Sequence, residues 1–136
     1  MQKNTSHPNI SLCSKLVGIP YEEKDCWGIV VEFYRLVMGI ELKPYYSETP
    51  ESKGFAQAMV FSAKKDFEPV SVPEFGDILL MKLLGFESHI GVYLGDGKIL
   101  HTQFKTGCVI DSFSKWEKIL VGCYRPKKES LNDSTP

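Results

Sequence analysis

From Gly76 onward the chain is written as short β segments joined by turns too brief to hold a helix. The runs are Asp77–Met81, Ser88–Leu94, Lys98–Gln103, Gly107–Asp111 and Ile119–Arg125, with Gly95-Asp96-Gly97 between the second and third. Connections this short force neighbouring strands to run antiparallel, because a parallel pair needs a crossover of a dozen residues or more. Ahead of them lies one strongly apolar segment, Cys26 to Met38, interrupted only by Glu32 and Arg35. Asp25 is a good N-cap for it and Gly39 a good stop, so the pattern predicts a helix covered on most sides. Helix first and strands after give an α+β fold, with an N-terminal central helix packed on a C-terminal antiparallel sheet.

The remaining chain is less regular. Ile40 to Pro50 holds two prolines and reads as a connection, while Glu51 to Lys65 has moderate helical character. Residues 1–126 are expected to form a single domain whose first ten or so residues fray, followed by a polar tail at 127–136.

Sixteen Lys and Arg stand against seventeen Asp and Glu, a formal charge of −1. That balance gives no electrostatic reason to expect nucleic acid or an anionic membrane as a partner. Cys13, Cys26, Cys108 and Cys123 are widely and irregularly spaced, with no C-x-x-C pair. Neither a structural zinc site nor a disulfide framework is expected, and no metal or other cofactor. The first ten residues lack the apolar stretch of a secretory signal, and no apolar run approaches the ~20 residues of a membrane-spanning helix. The expectation is synthesis in a reducing cytoplasm.

Cys26 stands apart from the other cysteines, which read as small core residues. At the first helical position its sulfur lies near unpaired backbone N–H groups and the positive end of the helix dipole, which favour thiolate. His89 and His101 lie far downstream on one hairpin. A two-residue Asp96-Gly97 turn alone pairs Gly95 with Lys98 and turns the two rings to opposite faces. An odd-length loop, or an equivalent bulge, sets Gly91 opposite His101 and both imidazoles on one face, with Gly97 at positive φ. Ile90, Val92 and Leu100 then point together into the other layer. The chemistry expected of this arrangement is acyl transfer: Cys26 attacks an amide carbonyl, His89 relays the proton to the leaving amine, and His101 orients His89. Phe104, Phe113 and Trp116 read as core aromatics.

Asp25-Cys26-Trp27-Gly28-Ile29-Val30, Gly76-Asp77-Ile78-Leu79 and the run His89 to His101 together resemble the NlpC/p60 cell-wall peptidases. The resemblance spans roughly Gly18 to Arg125 and implies a papain-like fold with Cys26 as nucleophile, His89 as base and His101 as orienting residue. It also implies a peptidoglycan stem peptide as substrate, cut between D-glutamate and a diamino acid. Tyr21, Trp27 and Ser88 are the expected substrate contacts. The close spacing of Gly18-Ile19-Pro20-Tyr21 to Asp-Cys-Trp-Gly, with the closing Val121-Gly122-Cys123-Tyr124-Arg125-Pro126, is similar to the phage tail assembly and tail-tip branch. Another tail protein is therefore an expected partner, the virion tail an expected location, and a structural tail role with little hydrolysis the competing function. A permuted acyl transferase fits less well, because there the histidine precedes the cysteine.

Overall fold

The computed structural model describes residues 10–42, 66–83 and 86–127. The described residues open with a 3-10 helix, Ile10–Lys15, that buries Cys13. Helix α1 then spans Cys26–Phe33. The Gly28 N–H donates to Asp25 Oδ1 at 2.9 Å, so the expected cap forms and satisfies one of the free donors of the first turn. Beyond Phe33 the helix differs from the simple expectation, widening into a π turn over Tyr34–Met38. Tyr34 is pinned there by its hydroxyl, which donates to the Gly76 carbonyl. The helical segment stops at Gly39 in the left-handed region, φ 72°. The segment expected to be helical at 51–65 lies outside the described residues.

Among the described residues six strands follow: β1 Phe67–Val70, β2 Ile78–Leu83, β3 Phe86–Gly95, β4 Lys98–Gln103, β5 Gly107–Ser112 and β6 Leu120–Pro126. They form one antiparallel sheet in the order β1-β6-β2-β3-β4-β5. Five of the strands coincide with sequence expectations to within a few residues. The sixth, β1, was not among the expected strands; it carries Pro69, which cannot donate to a ladder and is tolerated because β1 is an edge strand. Arg125 on β6 grips Asp77 at the start of β2 with two hydrogen bonds, 2.8 and 2.7 Å, which closes the sheet around its centre.

Alternation along the strands divides the apolar residues into two clusters. Ile78, Leu80, Ile90, Val92 and Leu100 pack with Ile29, Val30 and Phe33 of α1. Leu79, Met81, Ile99 and Cys123 form a smaller cluster, covered by Tyr93, Phe113, Trp116 and Leu120. The helix and the main core therefore lie on one face of the sheet.

The β3–β4 register takes the bulged form. Gly91 pairs with His101, Val92 with Leu100 and Tyr93 with Ile99, after which the register shifts and Gly95 pairs with Lys98. Leu94 is the extra residue. Asp96 at φ 56° and Gly97 at φ 72° make the tight turn, whose positive φ angles match the twist of the flanking strands.

Candidate active site

His89 and His101 share one face of β3 and β4, diagonal across the hairpin. His89 Nε2 and His101 Nδ1 are 2.9 Å apart, with the ring planes perpendicular. Gly91 makes room for them. A Cβ there meets the Leu100 carbonyl oxygen at 3.0 Å and His101 Cβ at 3.2 Å, so a side chain at 91 displaces the His101 strand segment.

Cys26 comes to the site from the other layer. The pairing of β3 with β4 starts at Gly91 and His101, leaving the Ile90 N–H off that ladder. The Cys26 sulfur lies close enough to this N–H dipole for it to favour the thiolate. The nucleophile candidate thus lies against the β3 backbone, one residue from His89. Among the described residues no hydrogen bond joins Cys26 to either imidazole.

The electrostatics depart from the expectation of a ready thiolate. Burial, reinforced by the Asp25 charge, pushes the Cys26 thiol up to about 12, and the N–H groups of Ile90, Trp27 and Cys26 itself only partly oppose this. Burial, with the neighbouring His101, lowers His89 to about 4. His101 is also lowered, chiefly by burial, against the pull of Asp111. With Cys26 only 6% exposed and His89 4%, burial disfavours both charged forms, the thiolate and the imidazolium. The helix terminus was a real but smaller influence than the loss of water.

Two further residues complete the constellation. Asp111 on β5 lies 3.4 Å through Oδ2 from His101 Nε2. The same oxygen accepts from Trp116 Nε1 at 3.1 Å, while Oδ1 accepts from Lys115 Nζ at 3.0 Å and from the Ser112 N–H at 2.8 Å. Burial works against the Asp111 charge, yet these hydrogen bonds outweigh it and hold the carboxyl well below the usual carboxylate range. Trp116 stacks on His89 with centroids 5.0 Å apart and meets His101 edge-on at 4.6 Å. Its reading as a plain core aromatic is therefore incomplete: it packs on the smaller cluster and also covers both histidines.

The expected substrate contacts divide. Trp27 is corrected to a core residue, 1% exposed and edge-on to Phe67. The residue after the helix-start cysteine points back into the layer that α1 buries. Ser88 lies on β3 with its side chain outside those described. Tyr21 meets Phe104 edge-on at 6.1 Å and lines an open cavity of about 550 Å³ with Glu22, Phe104 and Lys105, a lining that does not include Cys26, His89 or His101. Phe104, expected in the core, is 63% exposed because it sits in the β4–β5 turn. No group of three or more His, Cys, Asp or Glu among the described residues is placed to hold a metal ion.

A cysteine at the head of a central helix, backed by an antiparallel sheet carrying paired histidines, defines the papain-like class of α+β folds. The chain belongs to the NlpC/P60 family, whose sequence profile matches residues 15–125. Solved structures agree on the fold. The NlpC/p60 domain of the peptidoglycan hydrolase SagA superposes with a TM-score of 0.56 at 21% identity, covering 86% of this chain and 96% of that one. An NlpC/P60 family protein from Bacillus cereus ATCC 10987 gives 0.54 at 18% identity, over 90% of this chain and 41% of that one. A lipoprotein-like NLP/P60 protein from Staphylococcus aureus Mu50 gives 0.58 at 19% identity, over 92% and 44%. The chain thus spans nearly all of the first and under half of the other two. No curated protein matches the sequence.

Proposed function

We propose that this protein is a cysteine endopeptidase that hydrolyses an amide bond in peptidoglycan stem peptides, of the D-glutamyl–diamino acid type, in association with a phage or prophage tail. The observation that carries the reading is the 2.9 Å His89–His101 pair on the hairpin beside Cys26, within an NlpC/P60 domain. With Nε2 of His89 engaged by His101, Nδ1 is the nitrogen left to act as base. It takes the Cys26 proton as the sulfur attacks the carbonyl, then returns it to the leaving amine, and water hydrolyses the thioester with the same base. Because burial disfavours both charges, the step is base-assisted attack rather than discharge of a stored ion pair. Because the sulfur is nearly enclosed, acylation also requires the site to open around Cys26 and bring His89 within reach.

Support for the substrate comes from family membership and from the peptidoglycan hydrolase among the similar folds. The tail association rests on the compact Gly18-Ile19-Pro20-Tyr21 to Asp25-Cys26-Trp27-Gly28 spacing. Mass spectrometry of soluble products from purified peptidoglycan tests the assignment. Fragments that begin with a newly freed diamino-acid amine are expected, and stem peptides released whole from the glycan contradict it.

The enclosure of Cys26 favours one second reading, a tail structural protein with little activity on isolated wall. Its signature is a stable complex with another tail protein and no soluble fragments.

A further inference from the structure

We propose that Asp111 is a positioning residue that sets the direction of the whole proton relay, acting through His101. The inference rests on the Cys26/His89/His101 reading and extends it to the origin of the imidazole tautomers. An ionised carboxylate only accepts hydrogen bonds. Facing Asp111 Oδ2 at 3.4 Å, His101 Nε2 must therefore carry its proton, which leaves His101 Nδ1 as a bare lone pair. That lone pair faces His89 Nε2 at 2.9 Å, so the His89 proton sits on Nε2. His89 Nδ1 is then the free base. Each link fixes the next, and the chain begins at the one member whose role does not depend on a tautomer.

The surroundings of Asp111 support this role. Trp116 Nε1 and Lys115 Nζ each donate to a different carboxylate oxygen, so the group is held from both sides and stays ionised. Trp116 also covers both rings, which couples the carboxylate to the histidines through one rigid indole. His101 faces His89 from β3 and Asp111 from β5, with Lys115 just beyond in the turn that follows. When Cys26 gives its proton to His89 Nδ1, the imidazolium keeps its Nε2 proton on His101 and Asp111 remains a carboxylate. Nothing else moves. Without the carboxylate, His101 is free to protonate on Nδ1, where it opposes the His89 Nε2 proton and turns the relay around.

Long-range nitrogen-15 spectra of the labelled full chain read this directly. At pH 7 both histidines are expected to be protonated on Nε2 and bare on Nδ1. A His101 protonated on Nδ1 overturns the proposal without any variant. In Asp111→Asn, whose amide can donate as well as accept, the His101 signals should move toward mixed tautomers. Stem-peptide release should fall about 10- to 100-fold in kcat with KM nearly unchanged, as for other residues that orient a catalytic ligand. Asp111→Glu should restore part of the rate and the wild-type tautomers. Unchanged tautomers in Asp111→Asn, or changed tautomers with an unchanged kcat, also overturn it. Cys26→Ala run in parallel separates the two failures: retained hydrolysis there removes the peptidase reading, while the nitrogen spectra still decide the role of Asp111.

Discussion

The two faces of the sheet are built from the same strands yet answer to different demands. On β3 and β4, Ile90, Val92 and Leu100 enter a continuous, mainly apolar core under α1, at whose margin Cys26 also sits. One residue along, on the opposite face, His89 and His101 stand above a smaller cluster and are bridged to Asp111 and Trp116. The first face draws its stability from area removed from water. The second buries groups that prefer water, and holds them by hydrogen bonds whose loss is felt in the chemistry. Because the strand period is two, a single bulge at Leu94 decides which residues serve which purpose.

The largest effect that sharpens this contrast is on the polar face. Removing the base in His89→Ala should lower stem-peptide hydrolysis about 10²- to 10⁴-fold. Its urea midpoint should shift less than that of a core truncation, measured side by side. On the apolar face Leu100→Ala should cost about 2–5 kcal/mol in urea unfolding, while the folded fraction keeps its activity. A Leu100→Ala protein that is stable but inactive breaks the division of labour.

A pH series probes the same contrast without mutation. His89 binds its proton at about 4 in the fold and at about 6.5 when unfolded, so the unfolded chain gains protons first as pH falls. Stability should therefore drop between pH 6.5 and 4, by something on the order of 3 kcal/mol, and the drop should shrink in His89→Gln. On the alkaline side the buried Cys26 thiol, pushed up to about 12, should cost stability above pH 9, because the unfolded chain ionises earlier. Alkylation of Cys26 in the resting protein should likewise be slow at neutral pH and accelerate toward alkaline pH. The smallest effect belongs to the cap: Asp25→Ala should cost about 1 kcal/mol, and alkylation at a fixed mildly alkaline pH should quicken because a charge that disfavours thiolate is gone.

The legible parts of the molecule were those set by local rules. Asp25 and Gly39 bracket the helical segment because caps act within a turn, and the hairpin register followed from counting residues around Gly95-Asp96-Gly97. The same counting could have reached Asp111. β5 pairs with β4 with His101 opposite Val109 and Ile99 opposite Asp111, which puts Asp111 on the histidine face, but this required knowing that Phe104, Lys105 and Thr106 form the turn. Trp116 was out of reach, since its stacking depends on how the chain folds back after β5. The burial that raises the Cys26 thiol was illegible for a similar reason. A helix terminus is visible in sequence, whereas the depth of burial that overrides it is a property of the packed fold. Trp27 shows the converse: beside a site residue in sequence, it is turned into the core by the helix it stands on.

The central claim is that the sulfur of Cys26 is the atom that attacks. Release of stem-peptide fragments from purified peptidoglycan by wild-type protein and by Cys26→Ala, matched for fold by circular dichroism and urea midpoint, tests it most directly. The account predicts steady release by the wild type and none above background by the variant. Equal release by the two contradicts it.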